Sequence, residues 1–238
     1  MSKDNFLFGI IGLLAGLIIG FLAANSINQN GLKTVNTTTG SGDTSANSSI
    51  PAGHPDIGGN NSGGPGGGMQ PEVQEAIEKA KSSPNDFDAQ MKVAEMYYRI
   101  QRFDQAIEYL KKANQIKPDD YETIVNLGNA YFDSDKYDEA EKYYTQALAK
   151  KSTDVNVRTD LGLSFFFRGN YDRAIQEYTR SLEIDPNHVQ TLQNMTAAYT
   201  KKGDLEKAKA TLARLEQADA NNAALPQLRD GIKALETK

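Results

Sequence analysis

Apolar and small side chains between residues 87 and 222 follow a pattern that repeats every 34 residues. In each unit they occupy the seventh, eighth and eleventh positions, and alanine occupies the twentieth position every time. At about 100° per residue, the first three positions share one face of a helix, which predicts an amphipathic helix. The alanine belongs to a second apolar stretch after a polar turn. The pattern therefore predicts two packed helices per unit, in residues 87–120, 121–154, 155–188 and 189–222.

The residues at the repeated positions are closely alike in the four units. The seventh positions are Val93, Leu127, Leu161 and Met195, the eighth Ala94, Gly128, Gly162 and Thr196, the eleventh Tyr97, Tyr131, Phe165 and Tyr199, and the twentieth Ala106, Ala140, Ala174 and Ala208. This pattern resembles the tetratricopeptide repeat (TPR), in particular the membrane-anchored bacterial type. The resemblance implies an all-α solenoid of four helix-turn-helix repeats. It is imperfect, because Ser152 and Ala220 replace the proline expected late in the second and fourth units.

The segments on either side of the four units have a helical pattern of their own. Residues 71–84 carry Val73, Ala76, Ile77 and Ala80 at helical spacing, and residues 223–238 carry Leu225, Leu228, Ile232 and Leu235. Since a solenoid needs a polar-backed element at each end, both segments are predicted to be capping helices. For the second segment, a membrane-binding amphipathic helix is the alternative, but few basic residues accompany it.

The amino-terminal segment differs, because residues 6–24 contain only Phe, Leu, Ile, Ala and Gly. As a helix rising about 1.5 Å per residue, this stretch spans nearly the whole hydrocarbon core of a bilayer, so a transmembrane helix is predicted. A cleaved signal peptide is the alternative, although the apolar run is longer than the usual signal core. The weak positive bias of residues 1–5 predicts a cytoplasmic amino terminus and an extracytoplasmic repeat domain, periplasmic if the protein is bacterial.

Gly12, Gly16 and Gly20 stand four residues apart on one face of this predicted helix. Small residues at that spacing let two membrane helices approach closely, so a homodimer through this face is one hypothesis. Glycine is also common in membrane helices generally, which is the alternative explanation.

Residues 25–70 contain no aromatic side chain and are rich in Gly, Ser, Asn and Thr. Such a stretch cannot bury enough apolar surface to fold, so it is predicted to be a disordered linker. Its r.m.s. reach is about 35–40 Å, enough to hold a small domain clear of a membrane.

Charge and composition argue against several classes of function. Of the 26 basic and 31 acidic residues, two and three respectively precede residue 71, which leaves 24 against 28 and no basic field for nucleic acid. There is no cysteine, and the two histidines, His54 and His188, stand far apart, so no metal site and no cofactor are predicted. No phosphate-binding loop is present, so an enzyme is not expected. A hydrolase with an unrecognised site is the remote alternative.

The resemblance implies where a partner would bind. In the TPR family, the second, fifth, ninth, twelfth and thirteenth positions of each first helix commonly line a concave groove that receives a peptide or a partner helix. Together with two asparagines at the sixth position, the candidate residues are Met91, Glu95, Tyr98, Arg99, Val125, Asn126, Asn129, Phe132, Thr159, Phe166, Gln193 and Asn194.

Three of these candidates, Tyr98, Phe132 and Phe166, form an aromatic row at the twelfth position. Exposed apolar patches usually mark contact sites, whereas rings packed against neighbouring helices would belong to the core. The sequence favours neither interpretation. Asn126 and Asn129 stand beside the row, and their amides can both donate to and accept from a peptide backbone.

Chaperone adapters of the family bind a peptide carboxylate through lysine, arginine and asparagine side chains. Of those five positions, only Asn126 matches here, and the others hold Met91, Glu95, Asn156 and Asp160. A terminal carboxylate would therefore meet a neutral-to-acidic surface. The expected function is a membrane-anchored, non-catalytic scaffold that binds a polypeptide partner. The alternative is an assembly factor resembling the TPR component of cytochrome c maturation, which holds apoprotein segments.

Overall fold

The computed structural model describes residues 71–237, and these residues contain ten α-helices and no strand. The helices are α1 (Pro71–Ser82), α2 (Phe87–Arg99), α3 (Phe103–Ile116), α4 (Tyr121–Asp133), α5 (Tyr137–Lys150), α6 (Val155–Phe167), α7 (Tyr171–Ile184), α8 (Val189–Lys202), α9 (Leu205–Ala218) and α10 (Leu225–Glu236). The all-α class predicted from the repeat pattern is confirmed for this part of the chain.

The predictions for the first 70 residues lie outside the described part. They concern the transmembrane helix at residues 6–24 with its three spaced glycines and the linker at residues 25–70, and they stay predictions. Within residues 71–237, no helix combines the length and the apolar character that crossing a bilayer requires.

The helices form four consecutive hairpins, α2 with α3, α4 with α5, α6 with α7 and α8 with α9, here called repeats one to four. Their first helices begin at Phe87, Tyr121, Val155 and Val189, each 34 residues after the one before. Each hairpin packs against the next, while α1 packs against α2 and α10 packs against both helices of repeat four. This neighbour-to-neighbour packing is the architecture of a helical solenoid.

The turn inside each hairpin contains one residue with a positive φ angle, always at the fifteenth position. These residues are Gln101 (59°), Asp135 (60°), Gly169 (76°) and Gly203 (81°). The next residue donates its N–H to the carbonyl of the eleventh position at 2.9 to 3.0 Å, which is the longer bond of a Schellman motif. Glycine adopts this conformation freely, so repeats one and two carry a backbone cost that repeats three and four avoid.

The first helices of repeats one to three share the same amino-terminal cap. The carboxylates of Asp86, Asp120 and Asp154 each accept a hydrogen bond from the backbone N–H three residues on, at 3.0, 2.8 and 3.1 Å. This bond satisfies one of the N–H groups that a helix start leaves unpaired. Repeat four has His188 instead, which makes no such cap. Its Nδ1 lies 2.7 Å from the Thr191 hydroxyl oxygen.

The eighth position determines how closely the two helices of a hairpin approach. A Cβ atom placed on Gly128 would lie 2.6 Å from the ring of Tyr144, and one on Gly162 would lie 2.5 Å from the ring of Tyr178. Both tyrosines are at most 1% exposed, so they have no space to move into. Repeats one and four have leucine in place of these tyrosines and a larger residue than glycine at the eighth position.

The core continues from the repeats into the two end helices. Helix α1 buries Ile77 and Ala80, and the side-chain amide of Gln90 donates to the Ala80 carbonyl at 2.8 Å. At the other end, α10 buries Leu225 and Ile232. Both end helices therefore cover apolar surface that the terminal repeats would otherwise expose.

Candidate protein-binding surface

The first-helix surface is defined here as the face of α2, α4, α6 and α8 that carries the second, fifth, sixth, ninth, twelfth and thirteenth positions of the repeats. The twelfth-position rings on it are half-buried. Each packs on the first residue of the second helix of its own repeat, with ring-centroid distances of 5.3 to 5.5 Å: Tyr98 with Phe103, Phe132 with Tyr137, and Phe166 with Tyr171. These rings are therefore anchored on one side and partly open on the other.

The twelfth residue of one repeat also meets the thirteenth residue of the next. The Tyr98 hydroxyl donates to the Asp133 carboxylate. Phe132 meets Phe167 edge to face, with ring centroids 5.6 Å apart. Burial and the charge of Asp133 raise the pKa of Tyr98 far above its usual value, so its hydroxyl keeps its proton for this hydrogen bond.

Five rings of repeats two and three join into one aromatic patch, consisting of Phe132, Tyr137, Phe166, Phe167 and Tyr171. Phe167 connects its two halves, because it stacks on Tyr137 at 5.3 Å and meets Phe166 edge to face at 5.6 Å. Phe167 is 50% exposed, and few large apolar side chains in the described residues are as open. The patch therefore combines accessible aromatic area with a fixed position.

Phe167 did not belong to the candidate residues chosen from the sequence. A signal was nevertheless present, because Phe165, Phe166 and Phe167 follow one another in a helix. Consecutive helical residues point about 100° apart, so three adjacent rings cannot all face one core. The structure buries Phe165, half-buries Phe166 and leaves Phe167 open.

Two polar candidates are corrected by the structure, since Asn129 and Thr159 are each 1% exposed. Asn129 Oδ1 accepts a hydrogen bond from the buried Tyr144 hydroxyl at 2.9 Å. The Thr159 hydroxyl lies 2.7 Å from that of Thr191 in the next repeat and donates to the Val155 carbonyl at 2.7 Å. Both side chains hold helices together and, in this arrangement, are not accessible to a partner.

The remaining candidates differ in how open they are. Val125 and Asn194 are also buried, at 6% and 8% exposure. Glu95 and Arg99 are exposed and form an ion pair with each other at 2.6 Å. The half-buried candidates, which form the accessible part of the set with that ion pair, are Met91, Tyr98, Asn126, Phe132, Phe166 and Gln193.

Asp160, at the sixth position of repeat three, is a buried carboxyl at this surface. It is 8% exposed, and its Oδ2 has no hydrogen-bond partner. Burial away from water, with the negative charges of Asp133 and Asp154, raises the pKa of the Asp160 carboxyl to about 8. The hydroxyl of Tyr178, which is fully buried, also lacks a partner.

Ion pairs join consecutive repeats beside the hairpin turns. In each, an aspartate in the first turn of a second helix meets a basic side chain from the turn region of the next repeat. The pairs are Asp104 with Lys136 at 2.6 Å, Asp138 with Arg168 at 2.7 Å, and Asp172 with Lys202. Because they are solvent-exposed, each contributes less than about 1 kcal/mol to stability.

Metal binding finds no support in the described residues. Between residues 71 and 237, no group of three acidic or histidine side chains is placed to hold a metal ion. Asp133 and Asp160 interact electrostatically, but two carboxylates are fewer than the oxygen ligands that Ca²⁺ requires. The surface is better suited to contacts with another polypeptide.

Two family models match the repeat region. The model described as tetratricopeptide repeat matches residues 85–152. The model described as the cilia and flagella-associated protein 70 middle TPR-like domain matches residues 119–229. Together they include both helices of all four hairpins. Among curated protein sequences, none matches this chain.

Solved structures with a similar arrangement of helices include several of MamA. A crystal structure of MamA is 25% identical, with a TM-score of 0.59, over 62% of this chain and 86% of that chain. A second crystal structure of MamA protein is 25% identical, with a TM-score of 0.58, over 63% and 82%. MamA 41-end from Desulfovibrio magneticus RS-1 is 14% identical, with a TM-score of 0.55, over 66% and 85%.

Proposed function

We propose that this chain, which belongs to the tetratricopeptide repeat family through residues 85–229, is a non-catalytic scaffold that binds a polypeptide partner on its first-helix surface. The aromatic patch is the observation that carries this proposal. Phe167 leaves half of its surface in water although the fold does not require it to be there, since only its neighbours Phe132 and Tyr137 fix its position. Exposed apolar area of this kind usually marks a contact site.

The rings of the patch are held before a partner arrives. Phe132 packs on Tyr137, and Phe166 packs on Tyr171, within single hairpins. Binding therefore costs little side-chain entropy, which leaves more of the apolar burial available as affinity. Large rigid rings in such a setting are the residues that dominate many protein interfaces.

Polar groups beside the patch suit a main chain rather than a small molecule. Asn126 and Gln193 are half-buried amides that both donate and accept hydrogen bonds. A bound segment with exposed backbone N–H and C=O groups would find partners in both. A terminal carboxylate is disfavoured, because Glu95, Asp133 and Asp160 make this region acidic.

We also propose that residues 6–24 anchor the scaffold in a membrane, and that residues 25–70 link the anchor to the repeats outside the cytoplasm. The apolar run and the weak charge bias of the sequence support this part of the proposal. Protease added to intact cells or spheroplasts should remove the repeat domain. Protection of the domain until the membrane is opened would contradict the proposed sidedness.

Site-specific photocrosslinking tests the binding surface. We would replace Phe167 with the photoreactive analogue p-benzoylphenylalanine in the full chain, in its native membrane. The matched control carries the same analogue at Gln146, an exposed position on the second helix of repeat two. Adducts would be identified by mass spectrometry.

A partner that binds the first-helix surface should be captured from position 167 and not from position 146. Capture should be lost when Phe132 and Phe166 are both changed to alanine while the helical circular dichroism stays unchanged. Equal labelling from both positions, or capture that persists in the double variant, would contradict the proposal.

A further inference from the structure

Two buried polar groups in repeat three lack partners and interact with each other. The Asp160 carboxyl is 8% exposed and the Tyr178 hydroxyl is 0% exposed, and neither Asp160 Oδ2 nor the hydroxyl makes a hydrogen bond. In repeat two, the equivalent Tyr144 hydroxyl donates to Asn129, whereas repeat three has Leu163 in place of that asparagine. Leaving such groups unpaired costs stability, so the arrangement calls for another explanation.

The charges acting on Asp160 are all unfavourable to its ionised form. They come from Asp133 on α4 and from Asp154 at the start of α6, and no cation acts on it. The other titratable neighbours are tyrosines, namely Tyr98 on α2, Tyr144 on α5 and Tyr178 on α7. Helix α8, which also packs against α6, contributes the neutral Asn194 to the same sixth-position row.

We propose that Asp160 is the acceptor for a lysine or arginine side chain of the bound polypeptide, with Asp133 adding a second negative charge. This inference rests on the proposed function and specifies the chemistry of the partner. An ammonium or guanidinium group supplies what the site lacks, because it donates to the unpaired Oδ2 and offsets the repulsion between the two carboxylates.

The surroundings also suit the stem of a long basic side chain. Tyr98 and Phe132 lie half-buried on the same surface, on the two first helices that precede α6. Lysine and arginine bury their apolar stems along such rings while the charged end reaches a polar group. A cation near the face of an aromatic ring gains further attraction.

A water molecule bridging Asp160 and Tyr178 is the competing explanation. It would satisfy both groups without any partner, and Asp160 would then have only a structural role. The two explanations differ in one measurable respect. A structural role changes stability, whereas an acceptor role determines which peptides bind.

Peptide selection on the purified full-length chain tests the proposal. Random dodecapeptides, acetylated and amidated at their ends, would be selected on the wild type and on Asp160→Asn in parallel. The selected peptides would then be measured by fluorescence polarisation, each beside a version with norleucine in place of its lysine or citrulline in place of its arginine. Asp172→Asn is the matched control, because it removes the same charge from the exposed rim between repeats.

The expected result is a lysine or arginine enriched at one position of the wild-type peptides and absent from the Asp160→Asn peptides. Replacing that residue, or changing Asp160→Asn, should weaken binding about tenfold or more, the range for a hydrogen bond between charged groups. Asp172→Asn should bind within about twofold of the wild type, since exposed charges are well screened. Affinity should rise between pH 6.5 and 8.5 for the wild type and stay level for Asp160→Asn.

Other outcomes separate this inference from the proposed function. Peptides without a preferred basic residue, whose binding is lost in Phe167→Ala, would overturn the role of Asp160 and keep the scaffold. An absence of any binding peptide, or binding unaffected by Phe167→Ala, would overturn both. If Asp160→Asn alters thermal unfolding, Tyr178→Phe provides a second readout, because under the bridging-water explanation it alone should change stability and leave basic selectivity absent.

Discussion

The ring of Tyr178 lies so close to Gly162 that a Cβ atom at residue 162 would stand 2.5 Å from Tyr178 Cε1. Tyr178 is 0% exposed, so its ring has no open space to rotate into. The contact between α6 and α7 therefore depends on the absence of a side chain at Gly162. A single methyl group should be enough to disturb it.

Gly162→Ala is expected to lower the free energy of unfolding by about 1–3 kcal/mol, the usual cost of overpacking a core. Urea unfolding followed by circular dichroism measures the change. The matched control is Gly231→Ala in α10, where a Cβ would lie 3.4 Å from Thr200 Cγ2. That change should raise stability by up to about 1 kcal/mol, because alanine favours helix. Equal stability of Gly162→Ala and the wild type would contradict the packing register.

Gln101→Gly is expected to stabilise the protein by up to about 1 kcal/mol, because residue 101 has a φ angle of 59°. The reverse change, Gly169→Ala, should destabilise it by a similar amount. No atom lies within 4 Å of a Cβ placed on Gly169, so any loss there comes from the backbone alone. Thermal unfolding of the two variants should shift in opposite directions, and shifts in the same direction would argue against the turn conformation.

His188→Asp is expected to raise the free energy of unfolding by about 1 kcal/mol, the typical value of a helix amino-terminal cap. Asp120 shows the geometry that the variant would adopt, since its carboxylate accepts hydrogen bonds from both the N–H and the hydroxyl of Thr123. Thr191 stands at the same distance after His188. Asp120→His is the matched control and should lose stability in the same unfolding assay. A destabilised His188→Asp protein would show that the histidine contact with Thr191 matters more than the cap.

Asp160 should make the stability of the protein depend on pH. Its carboxyl has a pKa of about 8 in the folded state. An unfolded aspartate has a pKa of about 3.9, so the folded state binds more protons between these values. The stabilisation from the protonated carboxyl is complete below about pH 4 and is lost as pH rises through about 8.

Asp160→Asn removes this dependence, because its amide does not titrate. The stability of the variant relative to the wild type should therefore increase between pH 5 and pH 8.5, by an amount on the order of a few kcal/mol. Urea unfolding at both pH values measures it, and comparing the two proteins at the same pH removes the contributions of all other groups. A relative stability that is the same at both values would show that Asp160 titrates normally.

The fold of the repeats was accessible from the sequence because each repeat carries its own packing information. Glycine at the eighth position predicts a close helix contact, and Gly128 and Gly162 both make one. The constant alanines, such as Ala140 and Ala174, are 0% exposed, as expected of residues between packed helices. Helical contacts of this kind lie within one hairpin, so local spacing is enough to infer them.

The binding surface was only partly accessible, because it is formed between repeats. The sequence placed Asn129 and Thr159 on the first-helix face, but the structure buries their side chains through contacts with Tyr144 and Thr191. Helical position fixes the direction of a side chain, while the neighbouring element decides whether water or a partner can reach it. The exposure of Phe167 depends in the same way on how repeat three stacks on repeat two.

The sequence by itself determined the helices, their pairing into hairpins and the residues at each hairpin interface, since a 34-residue period repeats the same local packing each time. Only the tertiary structure decided which polar groups lose contact with water and which rings remain open. Asp160 shows the physical reason. Its carboxyl is unusual because the stacked helices exclude water and supply no cation, and neither condition is written in the spacing of residues along the chain.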